Sequence, residues 1–360
     1  MAVSGFIIFA VVVDCGGVKS DKRGYIGAHY WHEPGAFNHG FKGFCSVFVN
    51  AAFAFGGTEL VGLAAAEAAN PRKTLPAATK QVFWRITFFY VVSLFLVGLI
   101  LPSDNQDLLG ASSSNTKASP FVLAIKLTGV KGLPSVFNAV ITISVLSVAN
   151  SCTFASTRTM QALAIRRMGP KFLKYVDKKG RPLWCVLIQI AFGFLAFIGE
   201  ASAGSTVFTW LLSLSGLSYF FIWGSICLSH IRFRAGWKAQ GHTLDELPYQ
   251  AQFGVIGSYI GFFLVSIAII ATFYVSLFPV GGAPPDAQAF FEVYLAAPIV
   301  IGLYIFWKIM TKFKGPLFVR AENMDLTTGL RSFDLDELDE AAPRKKSIAN
   351  LPKRTLRGLF

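Results

Sequence analysis

Apolar residues gather in eight stretches along this chain, separated by polar segments and by turns rich in glycine and proline. A helix needs about 20 mostly apolar residues to cross the hydrocarbon core of a bilayer. On that measure the pattern predicts transmembrane helices over 1–17, 44–69, 83–102, 134–157, 183–200, 206–229, 255–279 and 290–312. The first stretch is short and starts abruptly inside its apolar run, so either that helix is thin and tilted or the chain is a fragment. Ala118–Thr128 is amphipathic but too short to span; it is expected to lie on the outer face or dip into it.

The basic residues orient these helices. Segments 70–85, 158–181, 230–252 and 308–360 carry 4, 8, 3 and 11 Lys+Arg, whereas 18–43, 102–133, 200–206 and 279–290 carry 4, 3, 0 and 0. The two sets alternate, and the positive-inside rule makes the first set cytoplasmic, with both termini in the cytosol. Trp84, Trp184 and Trp307 fall at the expected membrane–water boundaries, where amphipathic rings are favoured. The polar tail from Lys308 holds an acidic block, Asp334, Asp336, Glu337, Asp339 and Glu340, and is expected to be solvated. Ser347, just after it, is a weak candidate for phosphorylation.

Composition supports the same class. Of the 360 residues, 53% are apolar and only 15% charged, too greasy for an average soluble domain. The net charge of +13 follows from the loop asymmetry and needs no nucleic acid. Cys15, Cys45, Cys152, Cys185 and Cys227 form no CxxC pair, which argues against a disulfide framework or a zinc site. The loop 29–39 holds His29, His32, Glu33 and His39 around Tyr30 and Trp31. Nothing in that spacing fixes three or four ligands, so an outer loop folded over a vestibule is the expected reading rather than a metal centre. No nucleophile elbow, phosphate-binding loop or zinc-protease motif appears, and the chain is not expected to be an enzyme.

Three of the stretches are not plain grease. In 44–69, Phe53-Ala54-Phe55-Gly56-Gly57-Thr58-Glu59 interrupts the helix pattern. Adjacent glycines each weaken a helix by about 1 kcal/mol relative to Ala. Freed backbone groups survive in lipid only when buried in protein or lining a cavity, and discontinuous helices of this kind build substrate and ion sites in secondary transporters. The competing reading is that the glycines merely permit close helix packing. A carboxylate at Glu59, mid-span, costs at least about 2.5–3.5 kcal/mol unless it is paired, protonated or wetted. It is a candidate for proton coupling, or for capping the half-helix that begins there. Segment 134–157 carries a stripe including Ser144, Ser147, Asn150, Ser151 and Thr153, and 206–229 carries Ser213, Ser215, Gly216, Ser218 and Tyr219. Such stripes face a cavity or another helix.

The run Phe53-Ala-Phe-Gly-Gly-Thr-Glu-Leu-Val-Gly62, followed by Glu67-Ala-Ala-Asn-Pro-Arg-Lys-Thr-Leu-Pro76, resembles the fungal amino-acid permeases. These form the yeast amino acid transporter family within the amino acid–polyamine–organocation superfamily. Gly24–Phe37, Ser147–Arg158 and Phe208–Gly216 resemble three more of the family's segments, and the likeness covers about residues 1–320. It implies an all-α polytopic membrane protein with a partial LeuT-type inverted-repeat fold, whose eight helices correspond to helices five to twelve of the family's twelve. On that analogy 1–17 ends the first repeat and 44–229 is the second five-helix repeat, broken at 55–59. Residues 255–312 are then two additional helices and 313–360 a cytosolic tail. The family's first helix, which receives the substrate carboxylate, would lie outside the chain. Where the family tail often has Phe-Trp-Cys, this chain has Phe306-Trp307-Lys308.

The resemblance also implies roles. The backbone of Phe53 to Gly56 would receive the α-amino group of an amino-acid substrate, with Gly57 and Thr58 completing the break and Phe53 as the gate. Glu59 would serve proton coupling or support the broken helix. Asn150 and Ser151 would lie near the second half of the site, and Ser215 would face the substrate side chain. The expected activity is proton-coupled amino-acid symport by alternating access at a fungal plasma membrane, with no cofactor beyond the proton. Trafficking or ubiquitination machinery would read the tail. Two alternatives stay open: a truncated, inactive permease, and a non-transporting amino-acid receptor signalling through the tail.

Overall fold

The computed structural model describes residues 2–64, 71–109, 119–200, 204–247, 250–251, 253–282, 284–313 and 319–326. Glu67, the acidic block and Ser347 lie outside the described residues. The helices are α1 (Ala2–Asp14), α2 (Gly40–Ser46), α3 (Phe48–Phe55), α4 (Leu60–Ala64), α5 (Pro71–Ile100), α6 (Gln106–Leu109) and α7 (Pro120–Leu127). They continue with α8 (Leu133–Ile165), α9 (Leu183–Gly193), α10 (Gly204–Ala239), α11 (Gly254–Leu277), α12 (Ala287–Tyr294) and α13 (Ala296–Met310).

Each of the eight apolar stretches is helical, but they differ in length. Among the described residues, Gly40–Gly62, Thr74–Ile100, Leu133–Ile165, Thr206–Ala239 and Gly254–Leu277 are long and apolar enough to cross a membrane. Ala2–Asp14 and Leu183–Phe197 are shorter. The stretch expected as one helix over 290–312 is two, α12 and α13, bent by 70°. Pro298 supplies the cause. It has no N–H to give the carbonyl of Tyr294, four residues back, and its ring would clash with that carbonyl in a straight helix.

Two larger apolar cores and a small third one between α8 and α9 hold these elements among the described residues. In the first, Phe6, Ala10 and Val13 of α1 pack with Leu96, Val97 and Ile100 of α5 and with Leu123, Ala124 and Ile125 of α7. The short helix expected at the outer face is therefore a core element: Val122 to Ile125 are all buried, and Phe121 meets Phe6 edge-on at 4.9 Å. Its apolar face finds protein before it needs lipid. The loop after α1 ties the helix ends of this core together. Arg23 Nη1 donates to the Ile100 carbonyl at 2.7 Å, Ser20 Oγ donates to the Thr128 carbonyl at 2.7 Å, and Arg23 pairs with Asp21 at 2.6 Å. These side chains satisfy carbonyls that a helix end leaves unpaired. The Arg23 side-chain hydrogen bonds, with the Arg23 backbone N–H and charge, hold the Asp21 carboxyl below its ordinary range despite burial. Trp31, from the loop 29–39, lies 5.4 Å from Phe95, so that loop folds onto α5.

The second core joins Ala52 of α3, Leu217 and Phe220 of α10, Ala268 of α11 and Ala296 and Ala297 of α13. Its seams are lined with small residues because lipid supplies no hydrophobic drive between helices and close packing must substitute. A Cβ on Gly261 would sit 3.1 Å from Cys227 Sγ, and one on Gly216 would sit 2.7 Å from Val49 Cγ1 and 2.8 Å from Phe53 Cε2. Helix α10 runs to Ala239, beyond the expected end at 229. Its extension receives part of the tail: Gln240 Nε2 donates to the carbonyls of Ala321 (3.3 Å) and Met324 (2.8 Å), and Arg232 Nη2 donates to that of Val319. Residues 319–326 are thus docked rather than wholly solvated.

Candidate functional site

The break predicted at 55–59 is present. Helix α3 stops at Phe55, Gly56 to Glu59 form a turn, and α4 restarts at Leu60. Gly56 leaves helical geometry at φ −58°, ψ 134°, and Gly57 takes φ +88°, a conformation that side-chain-bearing residues rarely adopt. The turn closes through short-range bonds, Gly56 N–H to Phe53 O (3.3 Å), Thr58 N–H to Phe55 O (3.2 Å) and Leu60 N–H to Gly57 O (3.1 Å). Among the described residues, the N–H groups of Gly57 and Glu59 and the carbonyls of Ala54 and Gly56 make no backbone hydrogen bond. Donors and acceptors are therefore left open within one turn, and in lipid only protein, ligand or water could satisfy them.

Glu59 closes the turn. One carboxylate oxygen, Oε2, is buried and has no hydrogen-bond partner among the described residues. A buried acceptor in that state carries its full desolvation cost until something donates to it.

Helix α10 forms the wall behind the break. Tyr219 meets Phe53 edge-on at 5.7 Å and stacks on Trp223 at 5.8 Å. A Cβ on Gly56 would fall 2.7 Å from Tyr219 Cζ, so the first glycine is needed for this close approach. Phe53 and Ser215 share the lining of a groove of about 700 Å³ with Phe208, Phe192 and Gln189. The Ser215 hydroxyl donates to its own helix at Leu211 O, 2.9 Å away, which leaves its lone pairs available to the groove.

The other expected residues stand apart from this groove. Asn150 and Ser151 on α8 are exposed and do not line it. Ser151 donates to Ser147 O at 3.1 Å, and the exposed Thr142, Ser144 and Thr153 likewise bond carbonyls four residues back. A hydroxyl with no neighbouring helix takes the acceptor its own helix offers. Gln189 was not anticipated. It accepts from Ser156 Oγ at 3.0 Å, which links α9 to the polar stripe of α8. An amide within the apolar run Leu183–Gly193 was the available signal.

A family model described as "Amino acid permease" matches residues 1–318. The chain is 52% identical to the general amino-acid permease GAP1 of Saccharomyces cerevisiae, over 97% of this chain and 58% of that protein. It is 52% identical to the cationic amino acid transporter 1 of Schizosaccharomyces pombe, over 97% of this chain and 59% of that protein. It is 51% identical to the amino-acid permease inda1 of Hypocrea atroviridis, over 96% and 60% respectively. The chain thus spans under two thirds of the length of these relatives. No solved structure matches it.

Proposed function

Because this chain belongs to the amino acid permease family, a family of multi-pass membrane transporters rather than enzymes, we propose that it forms the broken-helix half of an amino-acid symport site. The observation that carries the reading is the turn at Gly56–Glu59, where the carbonyls of Ala54 and Gly56 and the N–H groups of Gly57 and Glu59 make no backbone hydrogen bond among the described residues. Carbonyls suit a substrate ammonium, which brings up to three N–H donors. Phe53 closes the approach, and Ser215 faces the substrate side chain across the groove. The pocket wall is aromatic and neutral, which suits a range of side chains.

Glu59 is the group placed to couple a proton. What supports this is its buried Oε2, which has no hydrogen-bond partner among the described residues and would be satisfied by a donor brought to it. Binding the substrate amine near this turn would alter that balance, which is the thermodynamic content of coupling. The arrangement fits a LeuT-type fold in which inverted repeats rock about a midplane site. The family resemblance supports a plasma-membrane location, and the alternation of basic loops supports both termini lying in the cytosol.

The test is accumulation of labelled amino acids by the chain reconstituted in proteoliposomes under an inward proton gradient, beside equilibrium binding. We expect Glu59→Gln to abolish gradient-driven accumulation while substrate still binds. Unchanged proton-dependent uptake would remove Glu59 from coupling. Binding with no accumulation by the unaltered chain would favour the receptor reading, and absence of both in folded protein would favour an inactive permease.

A further inference from the structure

The connection between α8 and α9 is built unlike a plain solvated loop. Leu173, in a single helical turn over Lys171–Lys174, is buried against Ala164 and Cys185 and pins the loop between the two helices. The hairpin beyond it is closed by Asp177, which accepts from the N–H of Lys179 (2.9 Å) and of Arg181 (2.7 Å) and pairs with Arg181 Nη2 at 2.6 Å. The segment's one carboxylate is thereby consumed within the loop, and these bonds, led by the Arg181 N–H, keep its pKa lowered.

What remains on the outside is of two kinds. Arg166, Arg167, Lys171, Lys174, Lys178 and Lys179 are exposed, and none is in an ion pair among the described residues. Between them stand exposed apolar side chains: Met168, Phe172, Tyr175 and Val176, with Phe172 lying 6.2 Å edge-on from Trp184 at the start of α9. Phe172 and Tyr175 are each about half exposed, 51% and 52%. Lysines alone would suit water or an acidic peptide. Rigidly held lysines interleaved with bare aromatic rings suit a surface that is anionic at one depth and apolar just beneath it.

We propose that residues 166–184 form a docking surface for the anionic headgroup layer of a phospholipid leaflet, with Phe172, Tyr175 and Trp184 seated at the headgroup–acyl boundary and the six cations on the phosphates. Basic residues next to a span are drawn to anionic lipid in this way, and the attraction decays within a Debye length. The surface is independent of the symport reading and rests only on this loop lying at a membrane–water boundary.

The experiment uses the full chain in nanodiscs containing brominated phosphatidylserine or brominated phosphatidylcholine at equal mole fraction. The Trp184 signal is taken as the difference in fluorescence between the chain and Trp184→Phe. Quenching of that signal by the serine lipid is expected to exceed quenching by the choline lipid by about fivefold or more, since each surface cation is worth about that factor. The preference should fall severalfold in Lys171→Gln/Lys174→Gln/Lys178→Gln/Lys179→Gln, fall to parity when Arg166→Gln and Arg167→Gln are added, persist when the same lysines become Arg, and weaken with salt. Equal quenching by both lipids would overturn the proposal. So would a preference that appears only after Asp334, Asp336, Glu337, Asp339 and Glu340 are neutralised, because the chain's own acidic block would then be the occupant.

Discussion

Gly56 and Gly57 are neighbours, yet the structure requires each for a different reason, and that difference can be measured. At Gly56 the backbone, φ −58° and ψ 134°, suits alanine, but the added Cβ would lie 2.7 Å from Tyr219 Cζ, 2.8 Å from Cε2 and 3.0 Å from the hydroxyl. The ring is itself packed, with Phe53 and Trp223 against it at 5.7 and 5.8 Å, which limits its retreat. Forcing a methyl into such a contact costs about 1–3 kcal/mol. At Gly57 space is ample, the nearest atom being Leu60 Cδ1 at 3.7 Å, but φ is +88°. Alanine there costs roughly 1–3 kcal/mol in backbone strain alone. Both single variants should therefore destabilise the chain by similar amounts. Combining each with Tyr219→Ala separates them. The clash at Gly56 disappears with the ring, so Gly56→Ala and Tyr219→Ala should couple by about 1–3 kcal/mol, whereas Gly57→Ala and Tyr219→Ala should add. The assay is reversible unfolding of the full chain in mixed micelles, read by far-ultraviolet circular dichroism. Equal coupling of both glycines to Tyr219, or none at Gly56, would refute the geometry of the turn.

Two further outcomes are expected. The Asp21–Arg23 pair has a folded carboxyl titrating below the ordinary range, so its stabilisation is complete above that range and is lost as pH falls through the folded value. Asp21→Asn should cost roughly 1.5–3 kcal/mol at neutral pH and flatten the acid limb of a stability–pH curve; an unchanged acid limb would show that the pair does not govern it. Pro298→Ala restores the donor for the Tyr294 carbonyl, so spin labels at Ala287 and Met310 should move apart by about 5 Å as the bend straightens. No change in that distance would assign the bend to packing instead.

Five of the expected spans were legible because each is a long apolar run with no competing period, whereas Ala2–Asp14 and Leu183–Phe197 are shorter than a span. The break at Gly56–Glu59 was equally legible, since two adjacent glycines and a carboxylate inside an apolar run suit neither an unbroken helix nor a lipid-facing one. The destination of Ala118–Thr128 was not: amphipathicity reveals that one face needs cover, not whether lipid or α1 supplies it. The bend at Pro298 was hidden because apolar content is continuous across it. Asn150 and Ser151 illustrate the other limit. A polar stripe signals a need for hydrogen bonds, and here Ser151 meets that need through Ser147 of its own helix. Ser215, by contrast, sits on a helix that packs against α3, so its sequence neighbours Gly216 and Tyr219 place it by contact.

Helix α10 is unbroken from Gly204 to Ala239, 36 residues, or about 54 Å at 1.5 Å per residue. Toward its middle Ser215, Gly216 and Tyr219 lie against the broken helix; just past its end, Gln240 grips the carbonyls of Ala321 and Met324. One continuous helix therefore joins the turn to the tail across about 30 Å, so the two places share a single element with no loop between them.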